Sequence, residues 1–275
     1  MLIPNRILIC SLGSIGSYYV SLIKKNWPEI SLGVYRTGKG KICNKIEYVD
    51  KVFNSYKEAI NWGPDACILS SPASSHLDQA LIFAKSEIPL LIEKPVGISL
   101  DRLDLWEELI ELNIKVPIFI GYIFRSNPCA HFLKQRLLKQ DIGVLIEADF
   151  YCGSWLPDWR PSQNYQESVS SRKELGGGVL LELSHEIDLV LWLLGEIKII
   201  GSNISNTRSL NIDVEDRVLI TGIDSNNTLI TIRLNFCTKP QKRITTFRGT
   251  KGELVWDIIK NKVTISRGSN FIDNK

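Results

Sequence analysis

The chain has 275 residues, enough for two domains that each bury their own core, and its 44% apolar and 23% charged residues are an ordinary globular mixture. The 33 basic residues exceed the 30 acidic ones by only three, too small and too scattered an excess to argue for nucleic acid or an anionic membrane as a partner. None of the six cysteines forms a C-x-x-C pair, and Cys10 and Cys67 fall inside apolar runs, so these two read as small core residues rather than ligands or disulfides.

Residues 6–11 (RILICS) are a short, nearly continuous apolar run, the pattern of a strand covered on both faces. The periodicity then predicts a helix over 14–25, a strand over 32–35, a helix over 57–62 stopped by Gly63-Pro64, and a strand over 66–70. A helix over 74–85, a strand over 90–92, a helix over 99–112 with Ser99 as N-cap and Asp101 in its first turn, and a strand over 118–122 follow. Strand–helix alternation with short connections predicts a parallel, doubly wound sheet.

The pattern changes near residue 121. A helix over 129–140 and a strand over 144–151 lead into a polar, tryptophan-bearing loop over 155–173, the triple glycine at 176–178, and one strongly apolar helix over 179–194. Beyond Gly195 come strands over 197–202, 217–222, 228–236, 243–247, 253–258 and 262–266, with turn signals at Asn226-Asn227 and Lys251-Gly252. The expected architecture is α/β at 1–120, followed at 121–275 by an α+β domain on a large, open, mostly antiparallel sheet. The longest apolar helical run, 189–194, is far too short to span a bilayer, and a strand pattern begins close behind Met1 with no signal-like segment, so a cytoplasmic protein is expected.

Four groups of residues carry chemistry. The first strand runs into Ser11-Leu12-Gly13-Ser14-Ile15-Gly16, a G-x-G-x-x-G pattern with serine in its first place. Gly13 lets backbone approach a pyrophosphate, Gly16 lets the helix pack close to the strand, and the N–H groups that open the helix face the phosphates. The context of buried strand, turn and helix points to a Rossmann-type domain, although Ser11 resists a positive φ. The second strand ends at Arg36-Thr37, where an acidic residue would hold the ribose 2′-hydroxyl of NAD. A guanidinium there, with Lys39 and Lys41 nearby, suits a 2′-phosphate and favours NADP over NAD. Lys94 of Glu93-Lys94-Pro95 closes another parallel strand, the end that faces ligand crevices, and can hydrogen-bond a reacting hydroxyl. Finally, Glu182, His185 and Asp188 are spaced three apart in a predicted helix and share a face, a histidine with carboxylates beside it in the manner of a general acid/base. No cysteine or second histidine supports a metal there.

Taken together these stretches resemble the Gfo/Idh/MocA family of NAD(P)-dependent sugar and cyclitol oxidoreductases. The resemblance rests on the glycine-rich turn, Ser70-Ser71-Pro72 with His76 after it, Glu93-Lys94-Pro95, Gly121-Tyr122 to Arg125, and the triple glycine with Ser184-His185-Glu186-Ile187-Asp188. Leu156-Pro-Asp-Trp-Arg160-Pro is similar to members linked to surface-polysaccharide and unusual-sugar biosynthesis. The resemblance implies hydride transfer to or from a secondary hydroxyl or keto carbon of a sugar, sugar nucleotide or cyclitol. Lys94 would contact substrate and nicotinamide ribose, and His185 would be the acid/base. Gly13, Ser14, Ile15, Gly16, Arg36, Thr37, Ser70, Ser71, Pro72, His76 and Glu93 would line the cofactor. Arg125, Trp159, Arg160, Glu182 and Asp188 would border the substrate, and the second sheet would carry a homo-oligomer contact. The chain departs from the family pattern in two places. Leu181 stands four residues before the histidine, where many members have aspartate, and only a short tail follows Val255-Trp256-Asp257. Two other readings stay open from the residues: a nucleotide-binding homologue without turnover, and a reductase of a non-sugar substrate.

Overall fold

A computed structural model describes residues 3–38, 44–161, 163–268 and 270–273. The chain divides between Gly121 and Tyr122 into two compact units.

In the first unit, β1 (Arg6–Cys10), β2 (Ser31–Tyr35), β3 (Lys51–Phe53), β4 (Ala66–Leu69), β5 (Leu90–Ile92) and β6 (Ile118–Ile120) form one sheet in the order β3-β2-β1-β4-β5-β6. Every pairing is parallel. Its helices are α1 (Ser14–Asn26), α2 (Tyr56–Asn61), α3 (His76–Lys85) and α4 (Leu103–Leu112). Leu8, Ile9, Cys10, Leu32, Cys67, Leu69 and Ile92 are all inaccessible to solvent, as expected for strands covered on both faces. The chain order reverses between β1 and β4, so a crevice opens beyond Cys10 and Leu69, the place where doubly wound sheets take ligands.

Two expectations for this unit change. The helix predicted from residue 99 begins at Leu103. Ser99 is not its cap, because its hydroxyl accepts from the N–H of Asp101 (3.0 Å) while its carbonyl accepts from the Trp106 indole (3.2 Å). That local turn competes with the helix for the same backbone groups. The strand β3 went unseen because three residues at a sheet edge have no periodicity to read.

The second unit carries α5 (Pro128–Leu138), β7 (Leu145–Trp155), α6 (Val179–Glu182), α7 (His185–Leu194), β8 (Lys198–Ser205), β9 (Arg217–Ile223), β10 (Leu229–Asn235), β11 (Cys237–Gly249), β12 (Gly252–Asp257), β13 (Lys262–Arg267) and β14 (Asn270–Asp273). The eight strands form a sheet in the order β14-β13-β12-β11-β7-β10-β9-β8. All neighbours are antiparallel except β10 with β7. Alternate residues point to one face: Ala148, Phe150 and Cys152 of β7, Ile230, Ile232 and Leu234 of β10, Phe247 of β11, and Leu254 and Trp256 of β12. Leu189 and Val190 of α7 and Ala130 and Leu133 of α5 belong to the same core. Each fully buried large side chain in it contributes about 1.5–3 kcal/mol.

The single helix expected over 179–194 is two. Leu183 leaves helical geometry (φ −103°, ψ 28°), and the bonds there are long i to i+3 contacts, Ser184 N to Leu181 O and Glu186 N to Leu183 O, both 3.4 Å. Helical spacing therefore does not put Glu182 on one face with His185. Strand β11 is much longer than the five residues expected, because its first half, ending near a register shift against β7, is polar and shows no apolar alternation.

Candidate functional site

In the first unit the glycine-rich turn sits at the open end of β1. Ser11 takes φ 80°, the strained conformation that a glycine would adopt freely, and its N–H donates to the Tyr35 carbonyl at 3.0 Å. The two glycines that follow differ in purpose. A side chain on Gly16 would overlap the Ser11 carbonyl oxygen and come within 2.8 Å of Ser70 Oγ, so α1 packs on the strand end only because Gly16 has none. A side chain on Gly13 would meet nothing within 4 Å. Gly13, Ser14 and Ile15 are exposed, and no acidic residue stands in the first turn of α1. The first intrahelical bond runs from Ser17 N to Gly13 O, which leaves the preceding N–H groups for an anion. These residues fit a dinucleotide pyrophosphate.

Ser70 binds the two central strand ends together, its hydroxyl donating to the carbonyls of Cys10 (3.0 Å) and Ser11 (3.2 Å). Ser71 turns its hydroxyl to Gln79 Oε1 (2.6 Å), so its side chain is committed inward. His76 is fully buried, with Nδ1 2.7 Å from the Pro95 carbonyl and Nε2 2.8 Å from the Ser71 carbonyl. Burial pushes its pKa down against the upward pull of the two carbonyls. The imidazole thus joins the Ser71-Pro72 loop to the Glu93-Lys94-Pro95 loop. Glu93 accepts the Tyr19 hydroxyl at 2.5 Å and lies against the Gly121 backbone. Burial, then this carboxylate, raises the Tyr19 pKa. Lys94 is half-buried between these anchors. Arg36 is half-buried and Thr37 exposed at the end of β2, while Lys39 and Lys41 lie outside the described residues.

In the second unit Gly178 holds φ 108°, and a side chain there would strike the Glu215 carboxylate, which accepts the Leu180 N–H at 3.0 Å. This reversal delivers α6 and then His185, the first residue of α7. The imidazole is half-buried, edge-on to Tyr122 at 5.7 Å between ring centroids and tilted against Phe124 at 5.1 Å. Both oxygens of Asp188 accept from Arg125, Nη2 to Oδ1 at 2.6 Å and Nε to Oδ2 at 3.0 Å. Two residues expected at the substrate thus close on each other. Trp159 is likewise tied into the unit, its indole donating to Ser154 Oγ (2.6 Å) and its ring edge-on to Phe236 at 5.2 Å. Arg160 and Trp159 share a shallow recess with Leu156, Gln163, Tyr165 and Ser168. Glu182 is half-buried. Sequence reasoning missed Phe124 and the buried Glu186–Arg243 pair, whose partners lie 57 residues apart and leave no local signal.

The fold and these residues define a two-unit protein with a dinucleotide-type turn in front and a histidine-bearing, sheet-based domain behind. Residues 131–255 match the family model for the GFO/IDH/MocA C-terminal domain. This match lies within the second unit and covers just under half of the chain. The rhizopine catabolism protein MocA of Rhizobium meliloti is 30% identical over 136 residues, 48% of this chain and 38% of that protein. Glucose-6-phosphate 3-dehydrogenase of Bacillus subtilis is 25% identical over 252 residues, 86% of this chain and 69% of that protein. The chain thus spans well under half of the first relative and just over two thirds of the second. The fold is that of the WlbA dehydrogenase from Bordetella pertussis, solved with NADH and UDP-GlcNAcA, with a TM-score of 0.81 over 98% of this chain and 77% of that one at 18% identity. No helix among the described residues is long and apolar enough to cross a membrane.

Proposed function

We propose that the protein is an NAD(P)-dependent oxidoreductase of a secondary hydroxyl on a sugar, sugar nucleotide or cyclitol. The observation that carries this reading is the exposed Gly13 turn opening α1 at the switch point of the first sheet, in a chain whose residues 131–255 match the GFO/IDH/MocA C-terminal domain. The relatives support the substrate class, since one acts on glucose 6-phosphate and the WlbA structure holds a nucleotide sugar.

The turn from Gly13 to Gly16 would hold the pyrophosphate, and Arg36 a ribose 2′-phosphate, which favours NADP over NAD. Bound there, the nicotinamide supplies the hydride chemistry. His185 takes the proton from the substrate hydroxyl in oxidation and returns it in reduction. The Lys94 ammonium, at the open end of β5, would hydrogen-bond a reacting hydroxyl and stabilise the charge that develops there. We assign the protein to the cytoplasm and its homo-oligomer contact to the outer face of the second sheet, where Leu219 and Leu229 are exposed on strands β9 and β10.

Calorimetric titration with NADPH and NADH, followed by turnover on a panel of sugars and sugar nucleotides, tests the reading. Tight NADPH binding with turnover on one member of the panel is expected. Binding without turnover on any sugar would favour a non-catalytic homologue or a non-sugar substrate, and binding of neither cofactor would overturn the assignment.

A further inference from the structure

Beside His185 lies a buried charge pair that this chemistry does not use. Glu186, the next residue of α7, has no exposed surface. Its carboxylate accepts two bonds from Arg243 of β11, Nε to Oε1 at 2.6 Å and Nη2 to Oε2 at 2.9 Å. The guanidinium carbon in turn sits 4.4 Å from the centroid of the Phe124 ring. Phe124 is buried, meets Trp256 edge-on at 5.6 Å, and presses on the His185 imidazole at 5.1 Å. Tyr122 touches the same imidazole, and the segment bearing both rings is tied to α7 a second time where Arg125 grips Asp188. One ion pair, Asp188 with Arg125, therefore links α7 directly to the short segment whose rings contact its first residue, and the other, Glu186 with Arg243 of β11, reaches that segment through the Phe124 ring.

Stability alone does not explain the inner pair, because burying two charges costs about as much as their attraction returns, and apolar residues of the same volume do as well. A bidentate fork does supply direction. It holds the guanidinium in one plane, and a cation over a ring holds the ring. We propose that Glu186 and Arg243 are positioning residues: acting through Phe124, the pair holds the His185 imidazole in one orientation for proton transfer. The proposal rests on the reading of His185 as the acid/base group.

The test is the double variant E186L/R243M, which removes both charges together and leaves neither stranded. It should stay folded, with a melting midpoint close to the parent's, and keep its NADPH affinity and sugar KM, while kcat falls at least about tenfold, the order of loss that follows small misplacements of a reacting group. R243K, which keeps the charge but not the fork, should recover only part of the loss. A second readout does not depend on turnover. The protein has three histidines, so the imidazole signals of histidine-labelled protein are assignable, with H185N identifying the one of interest. In the parent His185 should give one sharp set, and in the double variant a broadened or doubled set. A folded double variant with unchanged kcat, or with an unchanged His185 signal, would overturn the proposal. A parent that binds NADPH but turns over no sugar would defeat the acid/base reading instead, and the imidazole signals would still decide whether the pair positions the ring.

Discussion

Gly13 and Gly16 stand three residues apart in one turn, and alanine at each should do opposite things. At Gly16 the added carbon would lie within 3.0 Å of both the Ser11 carbonyl and Ser70 Oγ. The Ser11 backbone cannot yield without breaking its bond to the Tyr35 carbonyl, so α1 must lift from the sheet. Overpacking of this kind costs about 1–3 kcal/mol, which for a unit of this size lowers the melting midpoint by about 3–10 °C. At Gly13 the added carbon meets nothing, and φ is −67°, a value alanine adopts without strain. Replacing glycine by alanine at an N-cap costs about 0.5–1 kcal/mol, and the stiffer unfolded chain returns about 0.4–1 kcal/mol, so Gly13→Ala should melt within about 1–2 °C of the parent. That methyl nevertheless occupies the space through which backbone would approach a pyrophosphate, and cofactor affinity should fall at least about tenfold, or about 1.4 kcal/mol. Differential scanning calorimetry paired with NADPH titration reads both quantities on each variant. A Gly13→Ala protein that binds NADPH and NADH as the parent does would refute the placement of the pyrophosphate on this turn. A Gly16→Ala protein with an unchanged melting point would refute the close-packing account of that glycine.

Arg36→Asp should reverse cofactor preference toward NADH, and an unchanged ratio of NADPH to NADH dissociation constants would remove Arg36 from the 2′-phosphate. Lys94→Ala should lower kcat by several orders of magnitude with NADPH binding nearly intact, and loss of binding instead would make Lys94 a structural residue. The single change Arg243→Met removes the bidentate partner of the fully buried Glu186 carboxylate and should cost about 3–5 kcal/mol in urea unfolding, so a loss under about 1 kcal/mol would show that other groups already satisfy the carboxylate. Arg125→Ala leaves Asp188, 6% exposed, without its bidentate partner, and should lower stability by roughly 1–2 kcal/mol, discounted because the arginine itself is half exposed. A raised sugar KM with unchanged stability would instead show that Arg125 acts on the substrate.

The sequence by itself determined five of the six strands of the first unit and the turn between β1 and α1. Each of these is written in local periodicity or in glycines at a set spacing, which depend on backbone sterics that near neighbours decide. The triple glycine and the position of His185 after it were legible for the same reason. Only the tertiary structure decided what the side chains do there. The break at Leu183 and Ser184 cancels the helical spacing that had joined Glu182 to His185. The commitment of Asp188 to Arg125, of His76 to two loop carbonyls, and of Glu186 to Arg243 pairs residues that are distant in the chain. A buried polar group must find a partner wherever packing places one, and packing is a property of the whole fold rather than of any stretch of sequence.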